Sequence, residues 1–281
     1  MMNSLKKKQG LQGGADDKLY EVPYNMTYRQ WKKAFVQGGS KDDLDEIRGG
    51  IGKLIVDQNI EYDNLTRNIP PIPLKDLNGR YFDEVQDLIN GSDNACMNLI
   101  RKNIDKIIFA KTNCRGVSRY NRKYGIFINI GYDIKNERGK YTSLFHEIGH
   151  NIDNIFGRPS ISNKNFGELL KSDFEIFTKS YMELYNISEK EAFVEITNKL
   201  YEADIEESHI IADLLKGLSG GKIDVAFGHD SAYWNEGRIR KEAFAHFFGA
   251  TALNNQKKLE AIKDIFPSAY FEFEKRRSGL K

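Results

Sequence analysis

Apolar residues along this chain recur mainly at intervals of three and four, the period of one helix face. Residues 142–157 show it most clearly. Leu144, Phe145, Ile148 and Ile152 form one stripe, Gly157 ends it, and Pro159 stands just beyond. The same period predicts helices around 81–89 and 94–102. Between 166 and 215 it continues through Phe174, Phe177 and Tyr181, then through Ala192, Phe193, Ile196, Leu200 and Tyr201. A third helical segment, 208–215, breaks at Gly217 and Gly220-Gly221. A strong helix is expected over about 238–254, and two amphipathic segments, 257–265 and 268–275, flank Pro267. Only Ile107-Ile108-Phe109 and residues 125–130 read as strands, and 136–140 is a polar turn. The pattern predicts an α+β fold, mostly helical, with a small sheet beside the 142–157 helix.

The N-terminal quarter reads differently. Residues 1–19 are polar and glycine-rich. Thr27 with Gln30 is a capping-box pair ahead of the stripe Tyr28, Trp31 and Phe35. A charged helix is expected over 42–47, and 51–60 has strand character. Ile69-Pro70-Pro71-Ile72-Pro73 holds half of the six prolines and reads as an extended connector. It divides a small module, residues 1–68, from a main domain, 69–281.

With 17 Phe and 14 Tyr in 281 residues, a sizeable core is available. A net charge of +2 argues against a nucleic-acid partner. No apolar run approaches the roughly 18 residues of a membrane span. No apolar stretch follows Lys6-Lys7-Lys8 to make a signal peptide. Cys96 and Cys114 are too isolated for a Cys-based metal site and are expected as free thiols.

Chemistry concentrates in His146-Glu147-Ile148-Gly149-His150, which uses two of the five histidines. Helical residues four apart share a face, so both imidazoles point to one place, with Glu147 beside them. Two neutral imidazoles suit Zn²⁺, and a carboxylate beside a zinc-bound water suits a general base. The plain alternative is an amphipathic helix with surface histidines. Gly149 argues against it, since Gly costs about 1 kcal/mol relative to Ala in a helix unless something must approach closely.

A catalytic zinc takes three protein ligands. His209, His229, Glu236, Glu242 and His246 are candidates for the third. Glu242 is preferred because its helix has a face of Glu242, Ala245, His246 and Gly249 that matches the face His146, Gly149, His150, Asp153. Small residues on both would let the helices approach. His246 would then support a ligand by hydrogen bonding, and Asp153, one turn past His150, would either orient it or stand solvated. Tyr233, with His229 second, is the candidate to stabilise an oxyanion. The alternative for Tyr233 is a buried ring packed on Trp234. Residues 125–130 would pair with an extended peptide if they form an edge strand, or else are a plain core strand.

His146-Glu147-x-x-His150 with a distant Glu242 resembles the zincin metallopeptidases that use Glu as third ligand. The placing of Tyr233 before Glu242 is similar to the lethal-factor-like toxin proteases, though the loop length differs. Val22-Pro23-Tyr24-Asn25-Met26-Thr27-Tyr28-Arg29-Gln30-Trp31 resembles a segment of phage minor capsid (head-morphogenesis) proteins. Gly228-His229-Asp230-x-x-Tyr233-Trp234 with Glu242-Ala243-Phe244-Ala245 is similar to the metallopeptidase-like domain that often follows it. The capsid-forming body of those proteins is absent. The resemblance implies a zincin-like fold and a zinc-dependent endopeptidase encoded by a phage or prophage. It would act on a protein or peptide, with phage structural proteins as possible partners, in the host cytoplasm, on a virion, or after export without a classical signal. The competing readings are a phage assembly protein with a non-catalytic zinc site and a repressor-cleaving regulatory protease.

Overall fold

A computed structural model describes residues 71–111, 117–162, 164–225 and 228–280. The features expected at 22–35, 42–47 and 51–60, together with Cys114, lie outside the described residues. The main domain is mostly helical with a four-stranded mixed sheet, an α+β arrangement. Its order is β1 (Ile72–Pro73), a 3-10 turn, α1 (Arg80–Asn90), α2 (Ala95–Lys102), β2 (Ile108–Lys111), β3 (Arg119–Asn121), β4 (Gly125–Phe127) and α3 (Ile130–Ile134). Then follow α4 (Thr142–Ile155), α5 (Pro159–Ser162), α6 (Lys164–Tyr185), α7 (Glu189–Glu202) and α8 (Ile205–Leu218). A second 3-10 turn (Ser231–Tyr233) precedes α9 (Glu236–Ala252), α10 (Gln256–Ile265) and α11 (Pro267–Gly279). Among the described residues no helix is long and apolar enough to cross a membrane.

The sheet runs β1-β2-β4-β3. β2 and β4 are parallel, and the outer pairs are antiparallel. The connector is therefore more than a spacer, because Ile72 and Pro73 pair with Phe109 and Ile108 as an edge strand, where a missing N–H is tolerated. Residues 125–130 are corrected in two ways. β4 lies between β2 and β3 and has no free edge, and Asn129 accepts from the Tyr132 amide to turn the chain into α3. The edges are β1 and β3, and β3, whose three half-buried residues carry no alternating apolar signal, is the edge nearer α4. Gly125 is required at φ 89°, since a Cβ there would lie 2.2 Å from the Ile108 carbonyl oxygen.

α4 begins without a side-chain cap of its own, and Tyr141 before it has φ 66°. Its amide ends are served from a distance. Asp133 of α3, fully buried, accepts from Ser143 N (2.9 Å) and from the Tyr81 hydroxyl (2.5 Å). A carboxylate suits the positive end of a helix. Buried Lys258 of α10 donates to the Arg138 carbonyl (2.6 Å) and Thr142 Oγ1 (2.8 Å), and burial pushes it down to about 8.

α9 is the centre of the helical layer, and every residue from Glu242 to Ala250 is buried. A helix buried all round must be packed on several sides. One side meets α6 and α11, where Phe247 lies against Phe166 and Phe273, and Phe244 against Phe273. The other meets α4, its most extensive helix contact. There a Cβ on Gly149 would lie 2.9 Å from Ala245 Cα and 3.0 Å from its carbonyl oxygen. One on Gly249 would lie 3.2 Å from His146 N. Backbone thus rests on backbone at two points.

This contact sets two effects of opposite sign for Gly149→Ala. Helix propensity favours Ala by about 1 kcal/mol. Forcing a methyl into a full contact costs about 1–3 kcal/mol. Because the obstructing atoms are backbone, the second effect should prevail. Urea denaturation should show net destabilisation, and a more stable variant would disprove the close approach.

Candidate metal centre

The close packing of α4 and α9 puts three donor atoms together in a dry place. Glu242 Oε2 lies 3.2 Å from His146 Nε2 and 3.3 Å from His150 Nε2. Glu242 is 3% exposed. Neither contact has hydrogen-bond geometry, so Glu242 Oε2 has no hydrogen-bond partner, and neither has His146 Nδ1. An unpaired buried carboxylate oxygen is costly. Donors about 2.0–2.1 Å from a tetrahedral zinc stand about 3.3 Å from one another, which matches both Glu242–His separations.

The ligand-capable atoms that all lie within 4.8 Å of one another group differently. One set is His146, Glu242 and His246, and the other is Asp213, His229 and Glu242. His150 meets the group through Glu242 rather than as a member of either set. Hydrogen bonding separates the two. In the second set, Asp213 Oδ2 is 3.0 Å from His229 Nδ1, and the His229 amide donates to Oδ1 at 2.7 Å. Its Asp213–His229 part is satisfied internally, and Glu242 is the member it shares with the first set. The first adds His146, whose Nδ1 is the other orphan atom, so His146 and Glu242, with His246 or His150, are the donors that could hold a cation.

Protons are distributed accordingly. Burial, with His246 nearby, pushes His146 down to about 3 and keeps it neutral. Burial also opposes charge on His150, but the Glu242 carboxylate outweighs it and lifts His150 to about 9. Burial works to raise Glu242, yet the charge and contacts of His150 and His146 hold it well below the carboxylate range. Burial lifts Glu147 to about 7, opposed chiefly by the charge of His150. A base is most useful when it titrates near the working pH. Tyr120 belongs to the edge strand β3, and its ring stacks on His150 with centroids 6.4 Å apart.

The loop before α9 closes the other side. The Tyr233 hydroxyl donates to Glu242 Oε1 at 2.5 Å. The His229 ring stacks on Tyr233 with centroids 4.0 Å apart. Trp234 packs edge-on to both, so Tyr233 has the Trp234 contact and the polar one together. His246 points Nε2 at Asp213 Oδ2 (3.2 Å), and its ring lies 4.4 Å from that of His146. Asp153 is committed elsewhere, because both its oxygens accept from Ser160, at 2.9 Å and 2.7 Å, and it acts on His150 only through its charge. His209 hydrogen-bonds the Ile205 carbonyl within α8, and Glu236 is exposed and paired with Arg240. Neither joins the donor groups.

Sequence reasoning missed Asp213. It sits on α8, is 3% exposed, and holds His229 and His246 together. Its neighbour in space is Gly228, at φ 87°, where a Cβ would lie 2.2 Å from Asp213 Oδ1. The available signal was a lone Asp inside the apolar run Ile210-Ile211-Ala212-Asp213-Leu214-Leu215, since a charge in such a run needs a partner.

Comparison of the chain with protein-family models, curated proteins and solved structures returns no match.

The Asp213–His229 pair has a defined pH signature. Burial opposes charge on His229, but Asp213 outweighs it and raises the imidazole above 6.5; burial likewise works to raise Asp213, but His229 and His246 outweigh it and hold the carboxyl below 3.8. The raised His contributes stability that is full below 6.5 and is lost as pH climbs through its folded value. The lowered Asp contributes stability that is present above 3.8 and is lost as pH falls. The pair is therefore worth most between 3.8 and 6.5. Histidine NMR should find His229 titrating above 6.5 in the wild type and distinctly lower in Asp213→Asn. An unchanged midpoint would break the assignment.

Proposed function

We propose that this chain is a zinc-dependent peptidase of the zincin type. The observation that carries the reading is the buried, unpartnered Glu242 oxygen lying between His146 and His150, with Glu147 next to them on the same helix. Two imidazoles and a carboxylate from two rigid helices are a donor set suited to zinc. His146, His150 and Glu242 would hold the ion, with His246 the alternative to His150. When bound, Zn²⁺ would act as a Lewis acid that lowers the pKa of water to about 7 and polarises a carbonyl.

The chain's own groups would do the rest. Glu147, held up to about 7, would take the proton of the attacking water and deliver it to the amine that leaves. His229, with Nδ1 turned to Asp213, would keep Nε2 for a substrate oxygen. Tyr233 now donates to Glu242 Oε1 and so braces that side chain. To serve an oxyanion it would exchange this acceptor for the substrate. The edge at β3, rather than β4, would receive an extended peptide, and Tyr120 on that edge stacks on His150. The stretch 228–245, which resembles the metallopeptidase-like domain that often follows the phage head-protein segment, is the one that walls the centre. A phage or prophage origin, with proteins of the particle as substrates, is the setting this resemblance favours.

Two measurements test the reading. Glu147→Gln should keep its zinc and lose at least about 100-fold in peptide hydrolysis, in line with the usual size of general-base effects. Activity close to wild type would remove Glu147 from the chemistry. Elemental analysis should find zinc in the wild type and little in Glu242→Ala. The third ligand follows from comparing His150→Ala with His246→Ala. Zinc lost only from the former supports the His146–His150–Glu242 set. Zinc lost only from the latter moves the ion to His146–Glu242–His246.

A further inference from the structure

The centre is flanked by cations that lack carboxylate partners. On one side the exposed Arg238 lies over the Tyr233 ring at 4.6 Å and donates to the Tyr233 carbonyl at 2.5 Å. His229 stacks on the same ring, so Tyr233 is held between an imidazole and a guanidinium. On the other side Arg122 is exposed at the tip of the β3–β4 hairpin, two residues from Tyr120, whose ring stacks on His150. Arg158 stands just past the end of α4, at φ 64°, with its amide donating to the Asp153 carbonyl. Arg122 and Arg158 both act on the Tyr120 hydroxyl, and Lys241, next to Glu242 in sequence, acts on Asp153.

No ion pair engages Arg122, Arg158, Arg238 or Lys241 among the described residues. Acidic groups at the surface offset them only in part. Glu147, Glu242, Asp153 and Asp213 are buried and turned inward. At the surface, Asp230 accepts from the Ala232 amide and Glu236 faces Arg240. A mouth with an excess of one sign of charge raises the local concentration of the opposite sign and disfavours its own.

Resting on the peptidase reading above, we propose that the site selects acidic peptide segments, with Asp or Glu residues on either side of the bond to be cut. Arg122 and Arg158 receive carboxylates on the Tyr120 side, and Arg238 receives them on the Tyr233 side. Exposed pairs are individually weak and screened by salt, so the preference is a sum over several of them and shrinks as ionic strength rises.

The test uses the full chain loaded with zinc. A mixed library of quenched peptides is digested and the cut sites are sequenced. Asp and Glu should be enriched around them, and Lys and Arg depleted. In parallel, Glu147→Gln is titrated with labelled decamers, one of Glu alternating with Gly and one of Lys alternating with Gly. The acidic decamer should bind at least about tenfold tighter in low salt. Arg122→Glu/Arg158→Glu, one exposed and one half-buried position outside the donor set, should erase most of that difference, and Arg122→Glu alone should reduce it. Equal binding of the two decamers overturns the proposal, as does a cut-site profile indifferent to charge. A single-stranded oligonucleotide of matched charge binding tighter than the acidic decamer also overturns it, in favour of a nucleic-acid surface. A library left wholly uncut while the acidic decamer still binds supports the acidic surface and defeats the peptidase reading instead.

Discussion

The centre depends on two helices touching through their backbones. Gly149 of α4 faces Ala245 of α9, and Gly249 of α9 faces the start of His146. Only at that separation can a short Glu side chain on one helix reach two imidazoles on the other. Everything polar in the neighbourhood follows from the result, a carboxylate removed from water with no hydrogen bond to one of its oxygens. Such a group demands positive charge. In the protein alone a proton on His150 meets the demand, which is why that imidazole is held charged and His146 is not. A divalent cation would meet it with more bonds and release the proton.

A second layer keeps the first in register. Asp213 fixes His229 and His246, Tyr233 fixes Glu242, and Asp133 and Lys258 fasten the entry of α4. These partners come from α8, a loop, α3 and α10, so the centre samples most of the described domain. Groups around a metal that are themselves hydrogen-bonded hold ligand orientation. The pairing of Asp213 with two histidines also makes the loop from Gly228 to Tyr233 part of the centre rather than a cover over it.

Much of this was legible in the sequence because helices write a local code. The periods over 81–89, 94–102, 142–157 and 238–254 mark α1, α2, α4 and α9 to within a few residues. The matched small-and-polar faces of Gly149/His150 and Glu242/Gly249 pointed to the crossing. The sheet was harder. β3 has three residues and no alternation, while β4 is buried at every position, so neither shows which one is the edge. Edge position is a property of pairing between distant segments. Asp213 was hidden for a related reason, since its partners lie 16 and 33 residues away and nothing local distinguishes it from a misplaced charge. Asp153 misled in the opposite sense, because one-turn spacing from His150 permits a hydrogen bond without ensuring one, and Ser160 takes both carboxylate oxygens.

The glycine contacts also separate two kinds of change that most proteins mix. The aromatic layer of Phe166, Phe244, Phe247, Phe266 and Phe273 supplies much of the core on the far side of α9. The gap between α9 and α4 is set by main-chain atoms instead. Substitutions among those rings shift how firmly the domain holds together while leaving the spacing of His146, His150 and Glu242 almost unmoved. Durability and chemistry can therefore drift independently in this chain, and a lineage can lose or regain stability without revisiting its donor geometry.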